Sequence, residues 1–217
     1  MVQQRVKELE KTAAALVSRL VEAGIDGVGP LDPAATVADQ ARALARDTEA
    51  AIEDLVAAHT KLAAANGFVT GLGGFVTLPV ALPVNVAGFY AVATRMVAGI
   101  AHLRGYDLDR AEVRSAVLLT LVGADATSVL ARAGLDTTGR IAGVALQRLP
   151  GPALMMLNKG IGFRLLSQLG RSGLGRLGRG VPLAGGVIGA GLDSWLLRKI
   201  ANAARDEFVP HAQLPAA

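Results

Sequence analysis

Residues Leu62–Thr94 form a run of 33 residues without a charged side chain, and few folds can accommodate such a run. A membrane-spanning helix needs about 20 apolar residues, so the run is long enough to cross a bilayer. Five glycines and two prolines, Pro79 and Pro83, interrupt it and disfavour one straight helix. We therefore expect two helices that are buried in a bundle, in preference to a membrane-spanning hairpin.

Helical periodicity extends over the rest of the chain, and no alternating pattern typical of strands stands out. The sequence predicts an all-α fold, a single bundle of about seven to nine helices whose apolar central helices are broken by glycine and proline. Its predicted parts are an N-terminal helical arm and loop over residues 1–35, a helical domain over 36–209 and a flexible tail over 210–217. The predicted helices cover 3–24 (ended by Gly24), Asp32-Pro33 to about Ala65, 68–78, Pro83–Arg104 (ended by Gly105), Asp109 to Gly134, 140–148, 152–169 and 182–208.

Composition bears on the classes of chemistry that the chain can perform. It has 217 residues, of which 52% are hydrophobic and 18% charged, and no cysteine, so disulfides, thiol nucleophiles and thiolate metal sites are excluded. The three histidines are far apart, and no phosphate-binding loop or hydrolase motif is present. We therefore expect no metal, no cofactor and no catalytic residue, and we expect His59, on an apolar helix face, to be a hydrogen-bonded core histidine.

Isolated charges within apolar helices form the first candidate site. A buried charge costs several kcal/mol unless it is paired. We hypothesise that Arg95 pairs with Asp125 or Asp193 inside the bundle, with His102 nearby. This cluster would be a structural ion pair or, as an alternative, an active site. Alternatively, Arg95 extends to the surface.

A basic segment without acids forms the second candidate site. Residues 137–192 contain seven bases and no acid, interspersed with apolar side chains. This pattern favours contact with anionic lipid headgroups over nucleic acid, because only one aromatic residue and no nucleic-acid-reading motif are present. A solvated basic face of a soluble bundle is the alternative. The predicted headgroup contacts are Lys159, Arg164, Arg171, Arg176 and Arg179, and the predicted lipid-binding residues are Phe75, Leu78, Phe89, Met96, Met155 and Phe163.

Several motifs of the chain resemble those of the EcsC family. They are the TGLGG run, the paired prolines of LPVALP, the string RMVAGIAHLRGYDLD and the closing VPLAGGVIGAGLD. The resemblance covers roughly residues 50–208 and leaves the N-terminal arm outside. The family is named for a bacterial protein encoded beside an ABC transporter, and it supplies no catalytic residues. The positions that match its motifs are Gly71, Gly73, Gly74, Pro79, Pro83, Arg95, His102, Gly105, Tyr106 and Asp107.

Three functions follow as hypotheses. The first is a non-enzymatic lipid-binding or membrane-associated protein, cytoplasmic and peripheral at the inner face of the cell membrane, because the N-terminus carries mixed charges and no secretory signal. Its apolar helices would either enclose a hydrophobic cavity or lie partly in the membrane. The second is an interaction or assembly factor for a membrane transporter, which the resemblance suggests. The third is a hydrolase using His102 with Asp107 or Asp109.

Overall fold

The computed structural model describes residues 11–12, 15, 17–29, 31–72, 74–122, 130–131 and 182–210, with the backbone alone for 67, 69–87, 182–186 and 188–189. Within this part of the chain every regular element is helical, which confirms the all-α class. The predicted total of seven to nine helices stays a prediction, because the helices expected at 140–148 and 152–169 lie outside the described residues. The elements are a π-helix (Glu22–Asp26) and five α-helices, α1 (Ala34–Leu44), α2 (Thr48–Leu72), α3 (Gly74–Leu103), α4 (Ala111–Val122) and α5 (Pro182–Glu207).

Helix α3 lies at the centre of the described bundle. It contacts the π-helix and the other four α-helices, and every residue from Ala93 to Ala101 is buried. A helix that is apolar on all sides is stable only when it is enclosed, which explains why this segment carries so few charges. The largest fully buried side chains of the core are Phe208, Ile52, Leu55, Met96, Ile100, Leu118, Leu119, Leu130 and Leu197.

Helices α2 and α3 pack antiparallel in a defined register. Successive residues of α2 contact residues of α3 with decreasing residue numbers. The contacts that set this register are Glu49 with Arg104, Leu55 with Gly99, His59 with Arg95 and Asn66 with Gly88.

Helix α5 also runs antiparallel to α2. The ring of Phe208, just after α5, lies 5.2 Å from the ring of Tyr106, which follows α3. The end of α5 therefore lies near the end of α3, which is where α2 begins. Since α5 packs along α2, the N-terminal half of α5 lies beside the C-terminal half of α2.

The predicted break at the prolines is wrong. Helix α3 begins at Gly74 and continues through both Pro79 and Pro83, and the chain instead changes direction between Leu72 and Gly74. Proline has a helical φ and removes one backbone hydrogen bond, and a spacing of four places both missing donors on one side of the helix. Two such local losses are compatible with a helix whose residues 93–101 are all buried.

The long helix predicted from Asp32-Pro33 to Ala65 is divided into α1 and α2. Ala45 is extended (φ −90°, ψ 148°), and the Asp47 carboxylate accepts a 2.8 Å hydrogen bond from the Ala50 amide to begin α2. At the start of α1 the capping position is Pro33, with no side-chain cap bond, so Asp32 does not have its predicted capping role.

Two predicted helix boundaries near glycine differ in their outcome. The N-terminal helix does not stop at Gly24, which lies buried inside the π-helix, and the turn follows at Gly27 (φ 78°). The predicted end of α3 at Gly105 (φ 89°) is confirmed, because the Gly105 and Tyr106 amides donate to His102 and Ala101 in a Schellman motif.

The predicted start of α4 is wrong, whereas the predicted extent of α5 is confirmed. Helix α4 begins at Ala111, so Asp109 is not its cap; the Asp109 amide instead donates to the Asp107 carboxylate, 2.9 Å away. The predicted extent of the last helix is confirmed, since α5 covers Pro182–Glu207.

Candidate functional site

A buried arginine–histidine pair joins α2 and α3 in the core. Arg95 and His59 are 7% and 1% exposed, and the Arg95 Nε donates a 3.1 Å hydrogen bond to His59 Nε2. An accepting Nε2 requires the proton of the neutral ring to be on Nδ1, which donates to the Leu55 carbonyl at 2.8 Å. The prediction that His59 is a hydrogen-bonded core histidine is confirmed.

Burial determines the protonation of this pair. It lowers the pKa of His59 to about 4, the Leu55 carbonyl raises that pKa, and the neighbouring Arg95 charge lowers it. Burial also lowers the pKa of Arg95, and the carboxylate of Asp32 raises it. The neutral imidazole thus serves as the hydrogen-bond acceptor that a buried guanidinium needs.

The four residues of the predicted charge cluster are placed differently from one another. Arg95 donates its described hydrogen bond to His59. The His102 Nε2 instead lies 2.8 Å from an Asp39 carboxylate oxygen of α1. Asp193 is buried on α5, and Asp125 lies outside the described residues. Arg95 and His102 are seven positions apart, two helical turns or about 10.5 Å along α3. The described contacts therefore bring Arg95 to His59, and the pairing of Arg95 with Asp125 or Asp193 stays a prediction.

A shallow cleft of about 350 Å³ lies beside His102. His102, Asp107 and Asp109 all line it, as the hydrolase hypothesis requires, but His102 bonds to Asp39 and not to either of these aspartates. Its other described lining residues are Ala35, Gly105, Tyr106 and Leu108, so none of the described residues that line this cleft is a serine, threonine or cysteine.

Ion pairs lie at the same end of the bundle as this cleft, and we call this end the polar end. Arg104 bonds to Glu49 at 2.8 Å, and Arg114 forms two bonds, of 2.7 and 2.9 Å, to the carboxylate of Asp26. These pairs tie the beginnings and ends of four helices together. Their location follows from the antiparallel packing, which collects the connections 45–47 and 104–110 at one end.

The opposite end, which we call the apolar end, consists of residues 62–72 of α2, 74–94 of α3 and 182–195 of α5. Its only charged residue is Asp193, which is 5% exposed. Single exposed apolar side chains are common on proteins, but several large ones grouped at one end mark an interaction surface. The large apolar side chains exposed there are Leu62 (45%), Phe68 (39%), Val187 (67%), Leu192 (42%) and Trp195 (61%).

The exposed face of α5 is open at Gly191. A Cβ atom added at Gly191 would have nothing within 4 Å, and Gly191 lies one turn from both Val187 and Trp195. Lys199 lies one turn further, with its Nζ 5.5 Å from the centre of the Trp195 ring. The face therefore carries an aromatic ring and a cation, and no described chain covers it.

The predicted lipid-binding residues are distributed between the core and the rest of the chain. Phe89 (4% exposed) and Met96 (0%) are packed into the hydrophobic core. Phe75 and Leu78 are on α3, but their side chains lie outside what is described. Met155, Phe163 and the predicted headgroup contacts Lys159, Arg164, Arg171, Arg176 and Arg179 lie outside the described residues.

Val187, Leu192 and Trp195 were missed by the sequence reasoning. A signal was available, because α5 is uncharged over its first eleven residues and contains the only tryptophan of the chain.

No helix within the described ranges is both long and apolar enough to cross a membrane. Nor do those ranges contain a group of three or more histidine and acidic residues that could hold a metal ion.

Comparison with protein families gives one result. The model of the EcsC protein family matches residues 3–209. The chain belongs to the EcsC family. The match begins at residue 3, so the N-terminal arm, which the resemblance left outside, is part of the EcsC region. No curated protein and no solved structure matches the chain.

The described motif residues of this EcsC protein have structural roles. Gly105 supplies the left-handed turn that ends α3, and Tyr106 packs against Phe208 of the last helix. Arg95 makes the buried bond between α2 and α3. The family's IAHLRGYDLD string therefore forms the C-terminal end of α3 and the turn that follows it at the polar end.

Proposed function

We propose that this EcsC-family protein is a non-enzymatic peripheral membrane protein of the cytoplasm, which binds a lipid surface with its apolar end. The supporting observation is the grouping of five large exposed apolar side chains on the adjoining halves of α2 and α5. The lipid surface replaces water on these side chains, which stabilises the bound state by about 25 cal/mol for each Å² of apolar area removed from water.

The asymmetry of the molecule supports a contact made by one end. The polar end carries ion pairs whose carboxylates are exposed to solvent, whereas the apolar end carries no exposed charge. A protein with this distribution can place the apolar end among the headgroups and upper acyl chains without desolvating a charge. The polar end then faces the cytoplasm.

Flotation of the full chain with phospholipid vesicles tests the proposal. We expect the protein to float with vesicles and the double variant Val187→Ser/Leu192→Ser to remain in the dense fraction to a much greater extent. Leu44→Ser is the matched control, because Leu44 is 88% exposed but ends α1, beyond the Asp39 that bonds to His102 at the polar end.

Two outcomes would overturn the proposal. One is a folded wild-type protein that does not float. The other is an equal loss of flotation in the control and in the double variant. Sedimentation only with membranes that retain their proteins would instead support the assembly-factor hypothesis.

A further inference from the structure

We propose that the surface bound by the apolar end is an anionic phospholipid surface, and that Trp195 and Lys199 form the anchor among its headgroups. This inference rests on the proposed function and adds the class of lipid and the side chains that recognise it. The argument uses the geometry of α5, the distribution of charge on it and the chemistry of the two side chains.

The exposed residues of α5 whose side chains the structure describes lie on one face. At about 100° per residue, those from Val187 to Asn202 fall within an arc of about 140°. The first half of this face is apolar, and cations follow one turn later. The exposed residues in question are Val187, Gly191, Leu192, Trp195, Arg198, Lys199 and Asn202.

Charge on this face has a single sign. Arg198 and Lys199 are exposed, whereas Asp193 is buried, and the next exposed acid of α5 is Asp206, eleven residues or about 16 Å beyond Trp195. Anionic headgroups would meet two cations on α5 and no carboxylate at the same level.

The neighbouring helix repeats this arrangement. Lys61 of α2 is exposed and directly precedes Leu62, where the uncharged run begins. The exposed acids of the same helix, Glu53 and Asp54, are seven or eight residues before Lys61, about 10–12 Å further from the apolar end. Both helices thus place a base at the border between charged and uncharged surface, the level at which headgroups would lie.

Tryptophan and lysine together are suited to this border. Tryptophan prefers the membrane–water interface because its ring is apolar and its indole N–H donates a hydrogen bond. The Lys199 ammonium, 5.5 Å from the ring centre, keeps its charge at headgroup level while its alkyl stem covers apolar surface. A phosphate oxygen can then accept from either group.

Trp195 provides a direct measurement, because it is the only tryptophan of the chain. We expect its fluorescence to shift to shorter wavelength when vesicles containing phosphatidylglycerol are added, and to be quenched by lipids brominated near the headgroup. With phosphatidylcholine vesicles alone we expect weaker binding. Lys199→Gln should weaken binding to the anionic vesicles about fivefold and leave binding to the neutral ones unchanged.

Arg42→Gln is the matched control, because Arg42 is an exposed base on α1, away from the apolar end. We expect it to bind both kinds of vesicle as the wild type does. Equal binding to both vesicle types, an unaffected Lys199→Gln variant, or flotation without a fluorescence shift would overturn the anchor while leaving the proposed function standing. Absence of binding to either vesicle type would overturn both.

Discussion

The two ends of the bundle are stabilised in different ways. At the polar end, several described helix boundaries are held by a specific group, such as the Asp47 carboxylate, the Gly105 turn or the Arg114–Asp26 pair. At the apolar end, the described helices extend with large apolar side chains in solvent. The polar end therefore contributes to the uniqueness of the fold, whereas the exposed side chains of the apolar end are available for an external contact.

The largest expected effect concerns His59, which lies between the two ends. Its folded pKa of about 4 is below the usual value of 6.5, so protons bind more readily to the unfolded chain. Its contribution is complete above about pH 6.5 and is lost as the pH falls through about 4. A shift of this size corresponds to a loss of about 3 kcal/mol in the free energy of unfolding.

Urea unfolding at pH 7, 5 and 4 measures this effect when the wild type is compared with His59→Gln. The glutamine amide can donate and accept but does not titrate. Other titrating groups are common to both proteins, so the difference between them isolates His59. Identical pH dependence in the two proteins would contradict the prediction.

Gly24→Ala should have the next largest effect. A Cβ atom at Gly24 would lie 2.5 Å from the Thr94 Cβ and 3.0 Å from the Ala91 carbonyl oxygen, so the π-helix and α3 must separate. We expect the free energy of unfolding to fall by about 2 kcal/mol, measured by urea denaturation at pH 7. An unchanged midpoint would contradict the close packing of these two helices at Gly24.

Arg114→Lys should have a smaller effect at the polar end. The guanidinium makes two bonds to the Asp26 carboxylate and one, of 2.7 Å, to the Leu108 carbonyl, and a lysine cannot reproduce this fork. Because Arg114 is about a quarter exposed, we expect a loss of about 1 kcal/mol in the free energy of unfolding. Glu112→Gln, which changes a weaker 3.7 Å pair with Arg110, is the control and should change it by less.

The sequence predicted those parts of the fold that local signals specify. The end of α3 at Gly105 was predicted because a glycine terminator acts over a few residues. The extent of α5 was predicted from a segment that starts apolar at Pro182 and ends charged. The break at Ala45 was missed because apolar periodicity continues across it, and the Asp47-Thr48 capping signal was weaker than that pattern.

The candidate site was less predictable, because its contacts depend on helix register. Arg95 bonds to His59, 36 positions earlier, and no spacing rule specifies which residue of α2 lies opposite a given residue of α3. The exposed face of α5 could not be predicted for the same reason. Its tryptophan is evident in the sequence, but its exposure depends on which side of α5 packs against α2.

The smallest expected effect on stability concerns the apolar end. It decides whether the large side chains there are exposed to solvent or packed into the core. If Val187, Leu192 and Trp195 are not part of the core, then Trp195→Gln should change the free energy of unfolding by less than about 0.5 kcal/mol. Gly191→Ala should stabilise the protein by about 0.5–1 kcal/mol, because its added methyl group meets open space in the middle of a helix. Thermal unfolding without lipid measures both. A loss above about 2 kcal/mol in either variant would mean that the apolar end is packed against the chain's own residues, and the contrast between a fold-specifying end and a lipid-facing end would not hold.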